Sequence, residues 1–250
     1  MSVVSGLNHK TYSKFKSECW DGKLIWRDRR KQDHREVVMR YFASTQQHQK
    51  QTLSFPGTSW DFENAILQRF NHRLVCIERH AGMFDYCKRF VPGDIKHDDE
   101  FRTPVGSYRC VKSSNCTYIN ANFQTLAIGR SSKRYLDSHV DKTLWRGIKN
   151  NTSIWIDGMS TATSAETTTI APRIAGWTRK RTKTVPLAYT ICGARDCFSS
   201  DEHRVKMLAD GFNASYHRPF ILDEVFRHIG NGNTPMLTLL GRLFNPSRKR

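Results

Sequence analysis

Residues 52–79 read TLSFPGTSWDFENAILQRFNHRLVCIER, and this stretch holds most of the information about the architecture. It begins with a short apolar run, Thr52–Phe55, that a Pro-Gly pair stops. Residues 61–70 then carry apolar side chains at helical spacing, and a second continuous apolar run, Leu74–Ile77, ends at charged residues. A strand, a helix and a strand in so short a space predict two parallel strands joined by a helical crossover.

Short apolar runs alternate with helical patterns along the rest of the chain as well. Residues 93–122 show neither pattern and are expected to be irregular. The order of elements predicts an α/β fold, with a mostly parallel sheet, helices on both faces and an antiparallel C-terminal strand pair. The predicted helices are 33–51, 61–70, a stretch ending at Phe90, and 203–209 closed by Gly211, and the further predicted strands are 123–128, 153–156, 186–192, 212–222 and 236–244.

The composition excludes several classes of protein. The 250 residues include 40 Lys and Arg against 23 Asp and Glu, which gives a formal charge of +17. Apolar residues make up 38%, too many for a disordered chain and too few for a membrane protein. The first ten residues lack the basic and apolar regions of a secretory signal. Seven cysteines without a CxxC pair predict reduced thiols and no metal. We therefore expect an intracellular protein that is neither secreted nor membrane-bound.

The positive charge lies on both sides of an acidic segment. Residues 51–100 carry a net charge of −2, whereas residues 1–50 carry +6 and residues 101–150 carry +7. Basic clusters with aromatic residues nearby suit a nucleic acid, because cations displace counterions from phosphates and rings stack on bases. A solvated face that only keeps the protein soluble is the alternative. The predicted nucleic-acid-binding residues are Arg27, Arg29, Arg30, Lys31, Arg130, Lys133, Arg134, Arg179, Lys180, Arg181 and Lys183.

The residues that follow each predicted strand are the candidate ligand contacts, because open parallel sheets bind ligands beyond the carboxyl ends of their strands. Gly57 follows the first strand and Glu78 the second, at the spacing that separates the glycine turn from the ribose-binding acid in dinucleotide sites. Asp157 follows a later strand, and Cys192 ends the next one. The alternatives are a turn residue at Asp157 and a buried, inert thiol at Cys192.

Five stretches carry a resemblance to a known family: TLSFPGTSWDFENAIL, LVCIER, SIWIDG, VPLAYTICG and PMLTLLGRLF. In these the chain resembles the class I S-adenosylmethionine-dependent methyltransferases, which are Rossmann-like, over roughly residues 50–245. The resemblance implies S-adenosylmethionine as the cofactor, with its ribose held by Glu78 and the substrate facing Asp157. Cys192 lies where RNA 5-methylcytosine methyltransferases keep a nucleophilic cysteine. The cofactor-binding residues it implies are Phe55, Pro56, Gly57, Thr58, Glu78 and Arg79.

The patterns and the resemblance together predict two parts of the chain and one function. Residues 1–50 are expected to form a basic, partly helical N-terminal extension, and residues 51–250 a Rossmann-like methyltransferase-type domain. The expected function is S-adenosylmethionine-dependent methyl transfer to RNA or DNA. The alternative is a catalytically inactive protein of this fold that binds nucleic acid or serves as a structural subunit of a ribonucleoprotein or viral assembly. A single glycine after the first strand and the absence of D/N-P-P-Y at Asp157 favour the alternative.

Overall fold

The computed structural model describes residues 29–45, 50–56, 60–103, 106–121, 152–161, 184–192, 200–214, 220–229 and 235–243. These ranges contain four α-helices, a short 3-10 helix and nine strands. In chain order they are α1 (Arg29–Thr45), β1 (Gln51–Ser54), α2 (Asp61–Phe70), β2 (Arg73–Glu78), α3 (Ala81–Cys87), the 3-10 helix Lys88–Phe90, β3 (Ile95–Thr103), β4 (Gly106–Ser113), β5 (Cys116–Asn120), β6 (Thr152–Thr161), β7 (Val185–Cys192), α4 (Asp201–Ala214), β8 (Phe220–Ile229) and β9 (Pro235–Leu243).

The described strands form one mixed sheet in the order β3-β4-β5-β2-β1-β6-β7-β9-β8. The five central strands, from β5 to β7, are parallel, as their apolar sequences predict. β9 lies antiparallel between β7 and β8, so the predicted C-terminal strand pair is confirmed. The close packing of β9 against β8 requires a glycine at position 241, because a Cβ atom there would lie 2.5 Å from the ring of Phe220.

Helices cover both faces of the sheet, which confirms the predicted fold class. α1, α2 and α3 lie on one face, where Phe42, Phe62 and Phe84 are buried. α4 lies on the other face, where Phe212 packs against Tyr189 of β7. Helix α2 has the bounds predicted from its apolar spacing, because the apolar side chains of Phe62 and Ile66 are buried on one face of the helix. Among the described residues, every helix is too short or too polar to span a lipid bilayer.

Helix α1 belongs to this packed structure. It begins earlier than the predicted helix at 33–51 and ends at Thr45, ahead of the first strand. Val38 and Phe42 are fully buried in the same cluster as the side chains of α2 and α3. The division of the chain at residue 50 stays a prediction, but part of the predicted extension contributes to the core.

The prediction that residues 93–122 are irregular is wrong. β3 and β4 form an antiparallel hairpin there, and β5 is the third parallel strand, next to β2. The hairpin escaped notice because β3, with the sequence IKHDDEFRT, is charged and exposed over residues 95–100 instead of alternating apolar and polar. The strand predicted at residues 123–128 lies outside the described residues.

The predicted boundary between the last helix and the next strand is also wrong. Gly211 does not end α4, which runs on to Ala214. Phe212, expected to begin a strand, is a core residue of the helix, with its ring 4.9 Å from that of Phe220. Burial of this aromatic ring outweighs the cost of about 1 kcal/mol for a glycine inside a helix. The strand begins only at Phe220.

Candidate functional site

The candidate site lies at the carboxyl ends of the parallel strands. β1 has β2 on one side and β6 on the other. The parallel strands therefore follow one another outward from β1 in opposite directions in the two halves of the sheet. A crevice forms outside such a reversal, and ligands of open α/β sheets bind there. The strand ends around it bring together Phe55 and Pro56, Glu78, Asn120 and Cys192, and Asp157 lies within β6, level with Thr190.

Glu78 ends β2 with its carboxyl group almost entirely buried, 7% exposed. The backbone N–H of His80 donates a hydrogen bond of 2.7 Å to its Oε1 atom. Burial raises the pKa of the Glu78 carboxyl group from 4.5 to about 7, because an ionised carboxylate loses its hydration there. Hydrogen bonds from the backbone of His80 and Arg79 and the charge of Arg79 offset only part of that cost. Near neutral pH this carboxyl group is therefore divided between its neutral and ionised forms.

Asn120 holds the end of β5 against the end of β2. It lies opposite Glu78 in the register, and its Nδ2 atom donates a hydrogen bond of 2.8 Å to the backbone oxygen of Glu78. The backbone N–H of Ala121 donates to the same oxygen at 2.9 Å. Sequence reasoning missed Asn120 because its strand was expected to be irregular. The run Cys-Thr-Tyr-Ile-Asn is rich in strand-forming residues and ends in an amide, and this pattern could have indicated a strand with Asn120 at its end.

The turn after β1 is anchored at both of its described ends. Pro56 is buried and Phe55 is half-buried against the core, whereas Gly57 and Thr58 lie outside the described residues. On the far side, Trp60 is fully buried with φ 54°, in the left-handed region that bulky residues rarely adopt. Its Nε1 atom donates a hydrogen bond of 3.1 Å to the backbone oxygen of Cys87, so the indole ties the turn to α3.

A second buried glutamate lies close to the same turn. Glu63, in the first turn of α2, is 2% exposed, and burial raises the pKa of its carboxyl group. Ser54, the last residue of β1, is within 3.4 Å of the Cys76 Sγ atom. Burial also raises the pKa of the Cys76 thiol. Burial therefore favours the neutral forms of the Glu63 carboxyl group and the Cys76 thiol.

Asp157 and Cys192 lie on neighbouring strands on the other side of β1. The prediction that the strand ends before Asp157 is wrong, because β6 runs on to Thr161 and pairs with β7 again at Cys192. Asp157 of β6 is level with Thr190 of β7 and is half-buried. Cys192 lies two residues further along β7 and is 5% exposed. The sheet thus brings the two predicted catalytic residues to one edge, and their roles stay predictions.

Asp94, Asp98 and Asp99 lie away from this arrangement, whereas Arg79 adjoins Glu78 and its charge lowers the pKa of that carboxyl group. The Arg79 Nε atom donates to the ring of His80 on the surface. Asp94 precedes β3, and Asp98 and Asp99 lie on that strand, which β4 and β5 separate from β2. Asp98 forms an ion pair of 2.7 Å with Lys88.

Three of the predicted nucleic-acid-binding residues begin helix α1, which runs from the carboxyl edge of the sheet to the amino edge. Thr238 Oγ1 and His34 Nε2 are 2.8 Å apart near the carboxyl ends of β7 and β8, and the Tyr41 hydroxyl donates to Asp223 near the start of β8. The helix rises about 1.5 Å per residue, so its first residue lies about 7 Å beyond His34. The three are Arg29, Arg30 and Lys31; Arg27, Arg130, Lys133, Arg134, Arg179, Lys180, Arg181 and Lys183 lie outside the described residues.

In the described ranges, no three His, Cys, Asp or Glu side chains come together in a way that would hold a metal ion. No protein-family model matches the chain, and no curated protein matches its sequence.

Solved structures match the fold at very low sequence identity. The plantazolicin methyltransferase BamL, in complex with a desmethylPZN analog and SAH, aligns over 96% of this chain and 92% of its own, with a TM-score of 0.54 and 10% identity. The 1,6-didemethyltoxoflavin-N1-methyltransferase of Burkholderia thailandensis, with S-adenosylhomocysteine bound, aligns over 96% and 92%, with a TM-score of 0.51 and 11% identity. TYW2 of M. jannaschii in complex with AdoMet aligns over 90% and 80%, with a TM-score of 0.51 and 10% identity. The chain therefore has the Rossmann-like fold of the class I S-adenosylmethionine-dependent methyltransferases.

Proposed function

We propose that this protein binds S-adenosylmethionine at the carboxyl ends of β1, β2 and β5 and transfers its methyl group to a nucleic acid. The buried carboxyl group of Glu78 carries this proposal. A glutamate buried at a strand end is costly to ionise even with the backbone of Arg79 and His80 beside it, and a ligand that donates further hydrogen bonds offsets that cost. The two hydroxyl groups of a ribose are such donors, and the strand end that holds Glu78 adjoins the turn after β1.

The residues around Glu78 suit the other parts of the cofactor. The cofactor, when bound, supplies a methyl group on a positively charged sulfur, and this sulfonium is the electrophile of the reaction. The protein has to bind the cofactor, hold the substrate atom in line with the methyl group and keep competing water away. Pro56 and Phe55 begin the turn that faces the cofactor, and Asn120 holds the ends of β2 and β5 side by side.

Asp157 is the stronger of the two candidates for the substrate side. It is half-buried within β6, so part of the residue is exposed to a substrate. Cys192, at 5% exposed, is less open to attack a base, and a packing role explains it more simply. We therefore propose that Asp157 contacts the substrate and that Cys192 supports the end of β7.

The affinity for the cofactor should rise with pH through the pKa of Glu78. The ionised carboxylate accepts hydrogen bonds from both ribose hydroxyls, whereas the protonated form accepts less well. Since the pKa is about 7 without ligand, binding must release a proton below that pH. S-adenosylhomocysteine should bind about tenfold more weakly at a pH one unit below the pKa than well above it. Calorimetry in buffers of different ionisation enthalpy measures both the affinity and the released proton.

Glu78→Gln provides the control for this pH dependence. An amide keeps the shape of the side chain and does not titrate, so any pH dependence left in the variant belongs to the ligand or to other groups. The same pH dependence in both proteins would contradict the assignment of the proton to Glu78.

Nucleic acid is the proposed substrate because the first turn of α1 carries three basic residues to the same edge of the sheet as the cofactor site. The net charge of +17 supplies attraction to phosphates. A labelled single-stranded RNA and a DNA of the same sequence are suitable probes. We expect the double substitution of Arg30 and Lys31 by alanine to weaken RNA binding about tenfold and to lower the salt slope by about two.

The matched control removes two positive charges from the opposite edge. Lys50 precedes β1 and Arg73 begins β2, and both are exposed. Their replacement by alanine should leave RNA binding nearly unchanged at the same ionic strength. Equal weakening by the two double variants would mean that the charge acts only over the whole surface, and would contradict the proposed interface at the carboxyl edge.

The second candidate is a protein of this fold that binds nucleic acid without catalysis. It is favoured by Trp60, a bulky residue with φ 54° at the end of the turn where the family usually carries glycines. Binding of RNA without any binding of S-adenosylhomocysteine would support this candidate over the first.

A further inference from the structure

The sheet has two edges in the described part of the chain, and both are long. β3, with nine residues, has β4 as its one neighbour there, and β8, with ten, has β9. The outer side of an edge strand presents unpaired N–H and C=O groups, which pair readily with another strand. Proteins usually protect such edges with charge, bulges or short strands.

β3 is protected by charge. Asp98, Asp99 and Glu100 are consecutive and exposed on this strand. If a second copy of β3 paired with it antiparallel, carboxylates would lie opposite or diagonal to carboxylates. Like charges in these positions destabilise a strand pair. This edge is therefore unsuited to self-association.

β8 is much less protected. Five large apolar side chains are exposed in the described residues, and three of them lie on this strand. They are Ile221, Leu222 and Ile229, with exposed fractions of 38%, 36% and 47%. The charged side chains of the strand are of both signs, with Glu224 near the middle and Arg227 three residues later.

The sequence of β8 is complementary to itself in two registers. Backbone N–H groups of a strand point alternately to its two sides. When two identical strands pair antiparallel about a two-fold axis, one residue at the centre therefore lies opposite the same residue of the partner. With Phe226 at that centre, the two rings meet and Glu224 faces the partner's His228. With Val225 at the centre, the two valines meet and Glu224 faces the partner's Phe226.

The neighbouring registers are disfavoured by charge. A centre at Glu224 brings two carboxylates together, and a centre at Arg227 brings two guanidinium groups together. Charge thus restricts the pairing to the two registers that oppose apolar side chains or an acid and an imidazole. The bulge between Leu222 and Glu224 lies at the margin of both registers, where Ile229 faces the partner's Asp223 or the partner's Ile221.

We propose that the outer edge of β8 is the docking surface for a second copy of this chain, which pairs antiparallel about a two-fold axis and continues the sheet across both subunits. The dimer is reversible, since one pair of edge strands buries less surface than an obligate interface. The proposal is independent of the proposed methyl transfer.

The test compares the same substitution at the two edges. Ile229 of β8 and Ile95 of β3 are exposed to similar extents, 47% and 52%, so either position accepts aspartate without loss of the fold. Sedimentation velocity over a range of concentrations should show a monomer–dimer equilibrium for the wild-type protein. Ile229→Asp should raise the dissociation constant about tenfold or more, which is about 1.4 kcal/mol, because a carboxylate then faces the partner's Asp223 or the partner's Ile221. Ile95→Asp should leave it unchanged.

Hydrogen exchange then locates the contact. Backbone amides of residues 224–229 should exchange more slowly as the protein concentration rises, and those of β3 should not change. A wild-type protein that stays monomeric, a dimer equally weakened by Ile95→Asp, or a dimer unaffected by Ile229→Asp would each overturn the proposal. Protection of β8 at every concentration in a monomer would also overturn it, because the edge would then be covered by the chain's own residues.

Discussion

Replacing Glu78 by alanine should weaken the binding of S-adenosylhomocysteine about 100-fold. The variant loses the acceptor of two hydrogen bonds from the ribose, and a hydrogen bond to a charged group contributes about 1.5–3 kcal/mol. Isothermal calorimetry of the wild-type protein and the variant at one pH above 8 measures this loss, because the wild-type carboxyl group is mostly ionised there.

Stability separates this effect from a loss of structure. Burial holds the pKa of Glu78 well above its usual range, so the ionised form does not stabilise the folded protein. Above pH 8, Glu78→Gln, which keeps the hydrogen bond to the His80 N–H within reach, should therefore unfold at the same urea concentration as the wild-type protein or at a higher one. A Glu78→Ala variant that binds S-adenosylhomocysteine as tightly as the wild-type protein would contradict the assignment of Glu78 to the cofactor site.

Replacing Trp60 by alanine should lower the free energy of unfolding by about 4 kcal/mol, the range for removing a fully buried tryptophan. The indole packs edge-on against Tyr118, with ring centroids 5.1 Å apart, and donates its hydrogen bond to the Cys87 backbone. Trp60→Gly should be less destabilising than Trp60→Ala, by about 1 kcal/mol. The reason is the φ of 54°, which glycine adopts without strain and alanine does not.

Phe212 gives the matched control for this order. It is also fully buried and aromatic, but it lies within the helix α4. There glycine should be the more destabilising replacement, by about 1 kcal/mol relative to alanine. Urea unfolding of the four variants measures both differences. The same order of alanine and glycine at positions 60 and 212 would contradict the account of the backbone at Trp60.

The central part of the sheet could be predicted because its strands are buried on both faces. Short apolar runs such as Leu74–Ile77, bounded by turn residues, predict buried strands in the middle of an α/β sheet. The residue after each run is then expected at the carboxyl edge of the sheet. This reasoning places Glu78 at the end of β2, as the structure has it, but it stops β6 too early at Asp157. Phe212 was misassigned because an apolar residue after a glycine predicts a strand as well as a helix, and packing against Tyr189 and Phe220 decided between them.

The hairpin and Asn120 could not be predicted by the same reasoning. β3 carries charged side chains and is exposed, so its strand structure comes from backbone pairing with β4 and not from an apolar pattern. The role of Asn120 depends on its position opposite Glu78, which is a property of the register between two strands and not of either sequence alone. The left-handed backbone of Trp60 likewise depends on the packing of its side chain against α3.

The most direct test of the central claim is a calorimetric titration of the folded wild-type protein with S-adenosylhomocysteine above pH 8. The account predicts saturable binding with one site per chain, which the Glu78→Ala variant loses about 100-fold. No heat of binding at millimolar ligand, from a protein that unfolds cooperatively, would contradict it and leave a methyltransferase fold without its cofactor.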